Sequence, residues 1–426
     1  MCIAKNIRLI AAVVPATFLL CACSTAPEKV NIGTLSIKST TSVSLKSYLP
    51  YSAARFSVAA NNSEADTFCI TPSKLDFTDY NALIKSIAPD SVTDAEKAMA
   101  IWKALHRWTA HSKALTDSKL PHDPLRLLNS FETGLCDDRN AALTQLFRLG
   151  GLQARLQHLS GHLVAEVFYD AQWHMFDADW GVYFQNNQHE IASVDYISKN
   201  PECVNATYGN GAYGYLMNTL GNAYLRWVYS TVDDNSINTW LIDMPLNYTN
   251  AIVLGKSDSL VFEMKQLNRY KRWTQVFFSH TLVQYARKGT LYRCSSVWNT
   301  RKVSENEFVF SESLPYAITK VQVRLTEGSG AVYYSPDSVH WYFKGALSNG
   351  KGKLVFDAAD EENNQGVFRY RLKVVTTEQS KTTPAISVKN NFLFSRKLFL
   401  NPEKSFKIVG LQKEELSLKL GITVQK

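Results

Sequence analysis

Between Thr93 and Asp177 the spacing of apolar positions changes from helical to strand-like. Thr93-Asp94-Ala95-Glu96 reads as a capping box, and Ala98, Ile101, Leu105 and Trp108 follow on one helical face. This predicts an amphipathic helix ending near His111. A polar linker with Pro121 and Pro124 separates it from a second helix starting around Cys136. Leu143, Leu146 and Phe147 keep that helix's apolar stripe, and Gly150-Gly151 stops it. The period then drops to two. Strands are expected over 152–159, 162–169 and 172–177, with Ser160-Gly161 and Asp170-Ala171 as tight turns. If Tyr169 faces Gln172, counting back along the hairpin puts Val164 opposite Asp177. His162 then shares a face with Asp177 on the diagonal, where Cβ atoms sit roughly 7–8 Å apart. His174 points to the other face.

Residues 195–260 read as mixed helix and loop, including a glycine- and tyrosine-rich stretch from Thr207 to Tyr215. From about Asn268 onward the chain becomes short strands punctuated by Gly, Asn, Asp and Ser, at the intervals of an antiparallel β-sandwich. Within it, "VYYSPDSVHWYF" is similar to a strand-turn-strand element of jelly-roll sandwiches on extracellular glycan-acting proteins, with Ser338 in place of a glycine. Tyr333, Tyr334, Trp341 and Tyr342 there read either as core or as a sugar platform. Residues 30–80 also contain strand-like runs and read as a small β subdomain or an elaboration of the central domain.

The N-terminus modifies this picture. Lys5 and Arg8 precede an apolar run from Leu9 to Leu20 that is too short to span a bilayer comfortably. It ends in Leu20-Cys21-Ala22-Cys23, which resembles the lipobox of bacterial lipoproteins. The resemblance implies a signal peptide over 1–22, acylation of Cys23 and attachment to the cell envelope. Ser24 after that cysteine implies the outer membrane, facing the periplasm or the surface. The expected division is then a tether with a possible small β subdomain over 23–85, a central domain over 86–265 and the sandwich over 266–426. Apolar content of 45% and aromatic content of 12% fit well-packed globular domains over this length. The formal charge of +8 falls to about +6 without Lys5 and Arg8, a mild preference for acidic surfaces. The densest basic patch, Arg269-Tyr270-Lys271-Arg272-Trp273, suits an anionic glycan or lipid headgroup or is a solvated strand or loop. An exported lipoprotein argues against nucleic acid as partner.

Of seven cysteines, Cys69, Cys136, Cys203 and Cys294 remain after Cys2 and Cys21 leave and Cys23 carries lipid. No metal-site spacing occurs among them, so no metal or cofactor is expected. The count permits two disulfides, or one disulfide and two free thiols. Cys136 is distinguished by its place. Gly134 allows a close approach, and the first turn of a helix stabilises an anion, so a lowered thiol pKa is expected there. Cys136, His162 and Asp177 therefore read as nucleophile, base and the group that orients the base. Asp179 also falls on the His162 face and is the reserve third member. The backbone N–H of Cys136 is one oxyanion donor, and the polar residues between His122 and Asn129 are candidates for the second.

The stretch "GLCDDRNAALTQLFRLGGLQARLQHLSGHLVAEVFYDAQWHMFDAD" resembles the core of the transglutaminase-like superfamily. The features are Cys136 after a glycine and before an aliphatic helix, Gly151 to Arg155, His162 with Glu166 four residues on, and Trp173 before Asp177. The resemblance covers roughly residues 90–200. It implies an α+β fold with a papain-like core ahead of the sandwich, and thiol chemistry through an acyl-enzyme on Cys136, without a cofactor. It departs from the family in its short Cys-to-His interval and in Leu163-Val164, where members often carry an aromatic residue. The implied substrate is a peptide or cell-surface polymer, cleaved or used as an acyl donor. The competing expectation is a non-catalytic lipoprotein that binds polysaccharide through the C-terminal sandwich, for example in exopolysaccharide export.

Overall fold

The computed structural model describes residues 28–38, 40–44, 53–60, 65–89, 92–112, 119–205, 221–233, 242–243, 245–264, 273–275, 278–280, 286–294, 299–348, 350–358, 366–377, 384–399, 401–411 and 415–425. The expected leader, Cys23, the Thr207–Tyr215 stretch and the basic residues Arg269 to Arg272 lie outside the described residues, as does the side chain of Cys294. The fold is mixed α and β, and its sheets are predominantly antiparallel.

The expected elements around Cys136 all form. Thr93 Oγ1 accepts from Glu96 N at 3.2 Å while Glu96 Oε2 accepts from Thr93 N at 2.9 Å, closing the capping box. The helix Asp94–Trp108 buries Ala98, Ile101, Trp102, Leu105 and Trp108. It stops short of His111 because Thr109 turns extended and Ala110–His111 pairs in parallel with Thr133–Gly134. That pairing holds the chain just before the second helix, Cys136–Leu149, whose first turn is tied when Asp138 Oδ2 accepts from Leu135 N at 3.1 Å. This helix is buried on every side from Asp138 to Phe147 rather than along one stripe. Gly134 is required here, since a Cβ on it would lie 2.5 Å from Asp138 Cβ and 3.1 Å from Arg139 Cγ. Gly134→Ala is expected to cost about 1–3 kcal/mol by overpacking, read as a lower urea midpoint, and to slow alkylation of Cys136 by displacing the helix start.

Strands Gln153–Leu159, His162–Tyr169 and Gln172–Phe176 form an antiparallel sheet in which Tyr169 pairs with Gln172 and Ala165 with Phe176. This is the register expected from the hairpin count. Asp170 and Ala171 both have positive φ, 47° and 59°, as a two-residue turn between right-twisted strands demands.

The N-terminal strands pair with the C-terminal ones and do not form a subdomain of their own. Glu28–Lys38 and Ala53–Ala60 flank Glu415–Gln425, and Thr40–Ser44 and Asp66–Pro72 flank Ser405–Gly410. Asp66–Pro72 also pairs with Ile252–Leu254, so the strands leading into and out of the helical segment are neighbours. The β assembly is extended by the long strand Glu307–Leu325. It pairs with Val367–Thr376 mainly over its first half and with Ile386–Ser395 over its second. Pro315, which has no N–H for a ladder, sits in the irregular stretch where the partner changes.

The two regions are joined by buried polar contacts. Glu132, with φ 60°, accepts from Arg396 Nε and Arg396 N at 2.8 Å each and from Ser395 Oγ at 3.1 Å. Pro315 O accepts from Ser130 Oγ at 3.2 Å and from Tyr248 OH at 2.7 Å. Among the described residues, no helix is long and apolar enough to cross a membrane.

Candidate functional site

His162 begins its strand and Asp177 follows the next one, and the hairpin register brings them together. His162 Nε2 lies 2.8 Å from Asp177 Oδ2. The remaining ring nitrogen, Nδ1, is the one left for Cys136, whose sulfur, at the start of its helix, lies within 4.8 Å of a ring nitrogen of His162. The three residues expected from the sequence thus meet, each on a different element. Asp177 is fixed by more than the imidazole. Its Oδ2 also accepts from Tyr229 OH at 2.6 Å, and its Oδ1 from Asn140 Nδ2 at 3.0 Å, Asp179 N at 2.7 Å and Trp180 N at 3.1 Å. The Trp180 ring stacks on His162 with centroids 4.0 Å apart, and Tyr229 packs edge-on at 5.8 Å. This aromatic cover keeps water from the His162–Asp177 hydrogen bond.

Several site residues escaped sequence reasoning, Asn140 and His111 among them. Trp180 had a local signal, three residues after Asp177 and just before Gly181, whose φ of 73° turns the chain back. Tyr229 arrives from the helix Asn222–Ser230, with nothing nearby in sequence to mark it. Arg139, 1% exposed, donates Nη1 to Asp179 O at 2.7 Å and Oδ1 at 3.2 Å and Nε to Thr109 Oγ1 at 2.9 Å. His111 Nδ1 also lies 2.8 Å from Asp179 Oδ1. Asp179 is therefore occupied by Arg139 and His111, and Asp177 holds the imidazole. Glu166 is structural: it pairs with Arg155 at 2.7 Å and accepts from Val194 N at 2.7 Å. His174 is bound to the carbonyls of Ile191 and Tyr169.

Charge at the site follows from burial and pairing. Burial works against an imidazolium, yet Asp177 and the thiol hold His162 well above its ordinary 6.5. For Asp177, burial is outweighed by His162, Tyr229 and Asn140, which hold the carboxyl well below its usual range. Cys136 runs against expectation: burial pushes its thiol above the ordinary 9.0, and His162 pulls it back only in part. Cys69, buried, is pushed up to about 12 and Cys203 to about 11 by the same cause, with no imidazole as partner. All three are free thiols, so none of the disulfides that the count permits forms among them.

These directions set a pH dependence for stability. The raised His162 contributes stability that is complete below its unfolded value of 6.5 and lost as pH climbs through the folded value. The lowered Asp177 contributes above its unfolded value of 3.8 and loses that as pH falls. Urea midpoints are therefore expected to fall between pH 6 and pH 8.5, and His162→Gln should flatten that decline.

As the first helical residue, Cys136 carries a backbone N–H with no intrahelical partner, available to an oxyanion. Of the polar residues between His122 and Asn129, His122 reaches this turn, 3.6 Å from Asp138 Oδ1. Asn129 is instead turned toward Tyr248 and Asn250. Among the described residues, two groups place metal-ligating atoms within 4.8 Å of one another: Cys136, His162 and Asp179, and His122, Asp137 and Asp138.

No family model matches the chain, and no curated protein does. Partial matches to solved structures include the VP2 subviral particle of infectious bursal disease virus, 12% identical over 45% of this chain and 56% of that one, with a TM-score of 0.18. The capsular polysaccharide assembling protein CapF of Staphylococcus aureus matches at 12% identity over 41% of this chain and 35% of its own, TM-score 0.13. Procruciferin, an 11S globulin of Brassica napus, matches at 15% over 53% of each, TM-score 0.15. The chain spans between about a third and just over half the length of these structures, and such scores assign no fold.

Proposed function

We propose that this protein is a transglutaminase-like thiol enzyme that cleaves or transfers an acyl group from an amide or ester through an acyl-enzyme on Cys136. The observation that carries the reading is the 2.8 Å His162–Asp177 bond beneath Trp180, with the Cys136 sulfur within 4.8 Å of the same imidazole at a helix start. On this reading the helical segment and its three-stranded sheet are a papain-like core, set between the strands of a β-sandwich.

Loss of one proton from the Cys136–His162 pair leaves a thiolate beside an imidazolium. The thiolate attacks the acyl carbon, the C–S bond forms, and the oxygen takes negative charge against the Cys136 N–H. As the tetrahedral centre collapses, the C–N or C–O bond breaks and His162 passes its proton to the leaving group. The now neutral His162 takes a proton from water or an acceptor amine, which attacks the thioester. The C–S bond breaks and the thiolate–imidazolium pair returns. Asp177 fixes the ring and balances its charge throughout.

The lipobox resemblance makes Cys23 the proposed lipid anchor and the envelope the proposed place of action. Peptide or cell-surface polymer is then the substrate class within reach. The test is incubation of the soluble chain with a p-nitrophenyl ester, followed by intact-mass and peptide analysis. One acyl group on Cys136, transferred to added amine or to water, is the expected result. Acylation spread over surface lysines with Cys136 unmodified would contradict it.

A second reading, polysaccharide binding by the β assembly, is favoured by one feature. Lys373 Nζ lies 5.1 Å from the Tyr333 ring centre and 4.8 Å from that of Trp341, beside Phe343, which is 60% exposed. Such an aromatic and cationic surface suits an anionic glycan, and Trp341→Ala should weaken retardation in alginate-containing native gels if it serves one.

A further inference from the structure

We propose that Cys136, His162 and Asp179 form a zinc site through which the metal reversibly blocks the thiol. The inference rests on the reading of Cys136 as nucleophile only for its consequence, inhibition; the site itself rests on geometry. A sulfur, a ring nitrogen and a carboxylate oxygen from three separate segments lie within 4.8 Å of one another. Tetrahedral zinc bonds of about 2.0–2.3 Å place ligand atoms about 3.5 Å apart, so small side-chain adjustments suffice. The donor set is borderline-soft and suits zinc over magnesium or calcium, and three protein ligands leave a fourth position open.

The surroundings supply what such ligands need. The nitrogen opposite the metal, His162 Nε2, is already bound to Asp177 at 2.8 Å, the carboxylate–histidine arrangement that orients a metal-bound imidazole. Asp179 is held in place through Oδ1 by Arg139 and His111. Charges also balance in this buried place. The divalent ion and Arg139 together match the three negative charges of the thiolate, Asp179 and Asp177. On binding, the thiol proton and the proton on the ring nitrogen facing it leave to solvent. The sulfur lone pair that would attack an acyl carbon is then committed to the metal.

The test uses metal-stripped protein and zinc chloride, with peptide-resolved alkylation of Cys136 as readout. One equivalent of zinc should protect Cys136, chelator should reverse this, magnesium should do nothing, and Asp179→Asn should weaken protection by more than about 10-fold, the lower end of what loss of an outer-shell partner costs. Because Asp179→Asn also disturbs Arg139, cobalt(II) titration of the unaltered chain supplies a second measurement. A near-ultraviolet sulfur-to-cobalt absorption at one equivalent, lost in Cys136→Ser, is expected. Zinc that fails to protect a Cys136 whose reactivity depends on His162 overturns the metal site and leaves the enzyme reading standing. Protection unchanged in a folded Asp179→Asn overturns the three-ligand site. Protection of a thiol whose metal-free reactivity ignores His162 supports the site while removing the enzyme reading.

Discussion

Replacing His162 with alanine is expected to slow acylation of Cys136 by an activated ester about 10²- to 10⁴-fold, the range that a positioned acid–base group contributes. The substitution removes the imidazole that favours the thiolate against burial, so the thiol keeps its proton to higher pH. It also removes the proton donor for the leaving group, so an amide should suffer more than an ester with a good leaving group. Asp177→Asn should act in the same direction with His162 still present, since the imidazolium loses its buried counter-charge. Stopped-flow release of p-nitrophenol, with circular dichroism to establish folding, separates these effects from unfolding. A rate unchanged in His162→Ala would show that the imidazole is structural.

The largest stability effect is expected at Arg139. It is 1% exposed, and Asp179, also 1% exposed, is its carboxylate partner at 3.2 Å. Arg139→Met removes the guanidinium and leaves that carboxylate buried, with the imidazoles of His111 and His162 as neighbours. Breaking a buried pair by removing one member costs about 3–5 kcal/mol, whereas removing both charges costs far less. Urea unfolding of Arg139→Met, Asp179→Asn and the double variant should therefore show the double variant more stable than the first. Additive losses would mean that the two residues are not coupled.

The site was legible where short-range geometry controlled it. Two-residue turns at Ser160-Gly161 and Asp170-Ala171 leave little freedom in strand register, so the His162–Asp177 juxtaposition followed from counting. The capping box and the Gly150-Gly151 stop marked the two helices for the same reason: their signals lie within a few residues of the ends they determine. What escaped depends on distance along the chain. Tyr229 reaches Asp177 across 52 residues, and Ser395 reaches Glu132 across 263, with no local period to announce either. The N-terminal strands were recognisable as strands, yet their partners at 405–425 were not, because an antiparallel ladder between chain ends leaves no spacing in the sequence. The pKa of Cys136 was misjudged for a related reason. The favourable field of a helix start is local, whereas desolvation comes from everything packed around it.

Cys136 and His162 are expected to ionise as a pair. The most direct measurement is the rate of iodoacetamide alkylation of Cys136 from pH 6 to pH 10, resolved by peptide from Cys69 and Cys203, in the native chain and in His162→Ala. A native profile that rises at lower pH than the variant's, with faster alkylation at pH 7.5, is the predicted result. Two superimposed profiles would contradict it, showing a thiol that does not sense the imidazole.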